Sequence, residues 1–549
     1  MEQRLRPGTA WYRKTKYPGR RAGFTVVLLA WLISTIACSQ GYVSTFDLTA
    51  TALFSSSGAG GGDILPESET PVAPTPVNTP EPALLATTMA AQDMPPTLII
   101  ETPDPTSPHT TPLPPILYYT QAGDTLPAVA IRFGVNQEEI TSNETFDVTG
   151  FIPAGKLLII PNRLEATGPA DSVMPDSEIV YSPSALGFDI DAFVQGAGGY
   201  MAGYREYLAD GWNSGARVIQ KVAIENSINP RMLLALVEFQ AGWVYGQPAN
   251  LAVTDYPMGF INKDKKGLYK QLSWAVQQLS IGYYGWREGL FTSLTFNNNT
   301  QLRLAPTINA GTAAVEFLFS RLYHPDIWNG IMFGNDGFGA LYERMYDNPW
   351  VRAQTVEPLL PVNLTQPELQ LPFLPGRIWS FTGGPHSAWG PDGARAALDF
   401  APSATESGCV KSDDWVAAAA TGLVVRSGNG VVVVDLDGDG YEQTGWTLLY
   451  LHIRSDGRVP LGAWVEQGSL IGHPSCEGGV ATGTHVHFAR KYNGEWVLAG
   501  GPMPFNLDGW TAKAGAKPYQ GSLTKDSLVI EACTCGSFET RILRPKDGN

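Results

Sequence analysis

Ala481-Thr-Gly-Thr-His-Val-His-Phe488 decides how the C-terminal part of this 549-residue chain is read. Its flanks read as a β-strand, in which residues two apart point to the same side. His485 and His487 therefore share one surface, and Val486 faces the other way. The chain holds seven histidines, and His386 and His452 join this pair among short Val- and Gly-rich segments. With Asp399 they make a set of five. His386, Asp399 and His487 can supply two nitrogens and a carboxylate oxygen, a ligand number that leaves zinc an open position for water. Such a zinc lowers the pKa of its water and polarises a carbonyl. His452 and His485 remain as non-ligand imidazoles, suited to proton transfer and to stabilising an oxyanion. The plainer alternative is a chance surface pair. His109, His324 and His473 are read as ordinary surface or satisfied core residues.

These residues carry a family resemblance. The segment 378–497 resembles the lysostaphin-like zinc metallopeptidases that cut peptidoglycan peptide bridges, its β-lytic branch above all. Gly383-Gly-Pro-His386 followed by Leu398-Asp399-Phe400 is similar to that branch's widely spaced histidine and aspartate. The commoner subfamily has a histidine where Arg395 stands. Leu449-Tyr-Leu-His452 resembles the strand carrying the first catalytic histidine, and Val416–Gly422 and Val465–Gly472 resemble the family's glycine-turned strands. The resemblance implies zinc on His386, Asp399 and His487, and a catalytic pair in His452 and His485.

Composition sets the address. A net charge of −15, with basic residues clustered only at the extreme N-terminus, argues against nucleic acid as a partner. Seven Lys and Arg residues between Arg4 and Arg21, then the apolar run 22–37, read as an export signal. The run ends at Ile36-Ala37-Cys38, which looks like a lipoprotein cleavage box. The expectation for 1–38 is lipidation at Cys38 or an uncleaved membrane anchor. Residues 39–115 are a Pro/Thr-rich linker that cannot bury a core. Four cysteines remain in what reads as an exported chain, which suggests disulfides. Cys409 with Cys476 is a plausible bridge, and Cys533-Thr-Cys535 is a tight bridge or a reduced pair.

The expected architecture is multidomain α+β. Residues 116–163 read as strand, two short helices and closing strand. This βααβ unit resembles a LysM module, which implies glycan binding through Gly123, Asp124 and Thr125. A linker, 164–188, precedes a helical domain at 189–350. Its helix from Pro230 resembles the active-site helix of lysozyme-like lytic transglycosylases, but Gln240 stands where a general-acid glutamate belongs. A glutamine cannot protonate a leaving glycosidic oxygen, so this all-α domain reads as degenerate, and Gln240 argues against a glycosidase. After a linker, 351–376, comes the antiparallel all-β metallopeptidase domain, 377–517, and then a β-hairpin tail, 518–549. Within the β domain Asp435, Asp437, Asp439 and Gly440 match the first half of a calcium loop. Trp446 stands where its bidentate acid belongs, with Glu442 as the alternative acid.

The expected function is a zinc endopeptidase tethered at the extracellular face of the cell envelope. It would hydrolyse peptidoglycan peptide cross-links, with Zn2+ as cofactor and Ca2+ as a second candidate. Its partners would be peptidoglycan glycan and peptide stems, and the membrane through the N-terminal anchor or lipid. The competing expectation is a non-catalytic wall-binding scaffold that recruits or activates another hydrolase.

Overall fold

The computed structural model describes residues 113–404 and 407–546. The segment expected to be an export signal, with Cys38, and His109 lie outside them. Among the described residues no helix is long and apolar enough to cross a membrane.

The first unit pairs β1 (Ile116–Tyr119) antiparallel with β2 (Leu157–Ile160) around α1 (Leu126–Phe133). Thr125 caps α1 by accepting from the Ala128 amide, and Gly134 closes it in the left-handed region. The expected second helix is a correction. Only a single 3-10 turn forms, at Gln137–Glu139, because Ile140 is already extended and Thr141 bridges to Ile159 of the ladder.

The helical region is built on α2 (Gly215–Asn226), α3 (Pro230–Ala241), α4 (Leu268–Glu288) and α5 (Ala310–Leu322). In α3, Pro230 occupies the first turn, Asn229 caps the Arg231 amide, and left-handed Gly242 ends the helix. The region is not all-α: two short ribbons, Arg205–Leu208 with Gly211–Ser214 and Ser293–Thr295 with Gln301–Arg303, interrupt the helices. The supposed linkers are also partly ordered core. Met174, Ile179 and Val180 are sealed into the helical cluster, and Leu371 and Phe373 into the β cluster, because each brings apolar side chains with nowhere else to go.

The C-terminal region is antiparallel β. Its strands are β3 (Ile378–His386), β4 (Ala397–Pro402), β5 (Gly422–Gly428), β6 (Val431–Asp435), β7 (Trp446–Leu451), β8 (Trp464–Val465) and β9 (Val486–Tyr492). A second group comprises β10 (Asn506–Leu507), β11 (Trp510–Ala514), β12 (Gly521–Lys525), β13 (Leu528–Glu531) and β14 (Arg541–Leu543). The main sheet runs β8-β5-β6-β7-β9-β4-β3-β14, and a smaller sheet runs β10-β11-β12-β13. The tail is thus more than an added hairpin. It completes the second sheet and supplies an edge strand to the first.

Both faces of the main sheet are covered, which is why Val431-Val-Val-Val434 shows no polar alternation. Val432, Val434, Leu398 and Phe488 join one cluster with the second sheet. Val431, Val433, Leu449, Leu451 and Ala489 join the helical cluster. The seam carries polar ties as well. Arg287 of α4 meets Glu495 at 3.3 Å and Asp176 at 2.9 Å, Arg395 meets Glu288 at 2.6 Å, and the Trp496 amide donates to the Tyr284 hydroxyl at 3.0 Å.

Candidate metal centre

Four neighbouring strands bring the singled-out residues to one end of the main sheet. The register sets His487 directly opposite Asp399 on one side and Leu451 on the other, so His452 emerges beside the pair. His452 itself takes a left-handed backbone, φ 66°, as the chain leaves β7. Strand β3 is irregular between Phe381 and His386. Gly383 is needed there, since a Cβ would lie 2.5 Å from an Asp399 oxygen.

The donor atoms converge. Asp399 Oδ1 lies 3.3 Å from His386 Nε2 and 3.3 Å from His487 Nδ1, and those two nitrogens are 3.0 Å apart. All three residues are buried. The other ring nitrogens are spoken for: His386 Nδ1 donates to the Gly384 carbonyl at 2.8 Å and His487 Nε2 to the Ala388 carbonyl at 3.0 Å. With those tautomers, two imidazole lone pairs face each other across a carboxylate oxygen that has no donor of its own. Such an arrangement repels itself unless a proton or a cation sits among the three atoms. Its nitrogen and oxygen donors suit zinc. Backbone carbonyls orient both rings from behind, as supporting hydrogen bonds do at metal sites.

His452 and His485 flank this cluster, their rings 4.5 Å apart. His452 Nδ1 donates to the Glu477 carbonyl at 2.8 Å and His485 Nδ1 to the Gly483 carbonyl at 2.7 Å, which leaves each Nε2 with a lone pair. His485 Nε2 is 3.7 Å from Asp399 Oδ1. Burial, and then His485 and His487 beside it, hold the His452 imidazole down at about 3, so it is neutral at ordinary pH. Burial works against charge on Asp399, but His386 and His485 override it and keep the carboxyl well below its usual range.

Tyr519 belongs to this site and was not singled out from the sequence. Its ring stacks on His386 at 4.1 Å, held there by paired backbone bonds between Pro385 or Gly384 and Tyr519. A lone tyrosine in Lys517-Pro-Tyr-Gln520 carries no spacing signal.

Cys409 and Cys476 are bonded, and so are Cys533 and Cys535. The first bridge joins the segments beside His485, where the Thr484 amide donates to the Gly408 carbonyl at 3.1 Å. Gly123, Asp124 and Thr125 form the turn that leads into α1. Asp124 is buried and takes hydrogen bonds from Tyr118, Gln121 and Arg132. Arg287 lies against Gly123, and Gly123 and Thr125 line a cavity of about 190 Å³ shared with Tyr284 and Trp496. In the helical region Gln240 accepts from the Tyr323 hydroxyl at 2.9 Å, and Glu238 caps the amides of Val244 and Tyr245. Neither is an available acid. Asp435, Asp437 and Asp439 come together, but Glu442 turns away to Arg426 and Lys491. Its expected part in a calcium loop is therefore corrected: two buried cations hold it.

Residues 172–361 match the family model described as LasA, N-terminal domain. Over 356 residues, 60% of this chain and 77% of the relative, the chain is 26% identical to Protease LasA of Pseudomonas aeruginosa. The chain is similar to the LasA-like metallopeptidases. It is also 27% identical to the Beta-lytic metalloendopeptidase of Achromobacter lyticus over 169 residues, 29% of this chain and 42% of that one. Among solved structures, the M23 metalloprotease Pseudoalterin from the deep sea matches 31% of this chain and 96% of its own, at 24% identity and a TM-score of 0.25. The helical region, likened from its sequence to lysozyme-like domains, thus falls within the match to the LasA N-terminal domain.

Proposed function

We propose that this LasA-like chain is a zinc endopeptidase that hydrolyses peptide cross-links of peptidoglycan. The observation that carries the reading is the convergence of His386 Nε2, His487 Nδ1 and the donorless Asp399 Oδ1, a buried donor set of the kind that holds a cation. Zinc held by these three would polarise the scissile carbonyl and acidify a water. His452 is the proposed base: it is neutral, its Nδ1–H is anchored on Glu477, and its Nε2 is free to accept a proton. His485, anchored likewise on Gly483, is its partner in passing that proton to the leaving amine and in holding the oxyanion. Tyr519 walls the site on the side of His386 and fixes that ring. The reading places the protein at the extracellular face of the envelope, held by segment 1–38. The complete donor set favours catalysis over the scaffold reading, since recruitment of another hydrolase needs no such set.

The test is digestion of purified peptidoglycan of known cross-link chemistry by the zinc-loaded chain, with the released fragments weighed. Cleavage should expose new amino termini within the cross-link and vanish in His452→Ala. Retention on the wall with no released peptide would overturn the peptidase reading in favour of the scaffold.

A further inference from the structure

The turn between β6 and β7, from Asp435 to Gly445, lies at the end of the sheet away from His452. We propose that Asp435, Asp437 and Asp439 hold a divalent cation of the calcium kind, at a site separate from the histidine centre and independent of the peptidase reading.

The three residues each offer a carboxylate oxygen, and these oxygens lie within 4.8 Å of one another. Asp435 is 0% exposed. Its Oδ2 takes the Gly440 amide at 2.9 Å, but its Oδ1 is buried with no donor. Directly across the ladder stands Thr447, 1% exposed, whose hydroxyl also lacks a partner. A sealed carboxylate oxygen without a donor is costly, and two further carboxylates beside it make it costlier. Arg426 and Lys491 both close on Glu442, at 2.8 Å each.

The donors are all oxygens. That favours calcium over zinc or copper, which prefer nitrogen and sulfur. Aspartates at alternate positions followed by Gly440, with φ 91°, follow the opening of a calcium loop. The bidentate acid of such loops is absent, because Trp446 occupies its place and Glu442 is held elsewhere. Three carboxylates with water completing the shell fit the weak range of extracellular calcium modules, on the order of 10⁻⁴ to 10⁻³ M.

Terbium(III) is the probe, because the Trp464 ring packs on Gly438 within the loop and can sensitise it. The full chain, with zinc present, is titrated with terbium under tryptophan excitation, and calcium is then added in excess. Sensitised emission should appear and be displaced by calcium. It should fall at least tenfold in the double variant Asp437→Asn, Asp439→Asn, whose exposed side chains can change without disturbing the core. Asp326→Asn, remote and exposed, should keep it. Absence of emission, failure of calcium to compete, or undiminished emission in the double variant would each overturn the proposal. The readout is emission rather than hydrolysis, so it stands or falls apart from peptidase activity.

Discussion

Glu316 offers a test of how the helical region is built. It sits on α5 between Val315 and Phe317, is 1% exposed, and its Oε2 has no hydrogen-bond partner. Burial alone pushes its carboxyl from 4.5 up to about 8. The folded chain therefore keeps a proton that the unfolded chain releases above about pH 4.5. A carboxyl raised in this way adds full stability below its unfolded value, and that contribution declines as pH climbs towards 8. At about 1.4 kcal/mol per pH unit, the loss by pH 7 is about 3 kcal/mol, as an order of magnitude. Glu316→Gln keeps the shape and removes the titration. The variant should be more stable than the parent by about 3 kcal/mol at pH 7 and nearly equal to it at pH 4.5. Denaturant unfolding of the full chain at half-unit pH steps, followed by tryptophan fluorescence, measures the difference. Parallel pH profiles for parent and variant would refute the reasoning, as would a variant less stable at pH 7. A raised carboxyl invites a general-acid reading, but this one is sealed in the core, so wall digestion should be unaltered.

Asp399→Ala and His487→Ala should each release zinc to equimolar chelator, measured by elemental analysis of the dialysed protein, because two remaining ligands do not hold the metal tightly. His452→Ala should keep its zinc and lose about 10²- to 10⁴-fold in peptide cleavage, measured on a short cross-link peptide; loss of metal there would make it a ligand instead. Cys476→Ser opens a loop with a sequence separation of 67. It should lower stability by about 4 kcal/mol, read by denaturant unfolding under oxidising conditions.

The histidine end of the sheet was legible because its information is local. Period-two geometry alone sets His485 and His487 on one side, and each carries a short sequence signature. The sheet's contact with the helical region was not legible, because Val431-Val-Val-Val434 looks the same whatever covers it. For the same reason residues 174–180 and 369–373 looked like linker: a few apolar residues in a polar stretch reveal a core only once their partners are folded. The setting of Asp124 was hidden for a different reason. The Gly-Asp-Thr turn can be read along the chain, but the closing of Arg132 and Tyr118 on its carboxylate depends on how the helix and strand pack. Tyr519 was invisible because its place depends on a backbone pairing with Pro385 across more than a hundred residues.

That same pairing has a consequence for synthesis. His386 is translated long before Tyr519 stacks on it and before Ile542 pairs with Trp379 at the edge of its strand. A growing chain folds its earlier regions first, so the helical half waits with an apolar seam while the strand bearing His386 lacks both its wall and its border. The reactive end of the sheet is thus finished among the last parts of the molecule. A chain that stops short of the tail would carry His386 without its stacking partner and its strand without its edge.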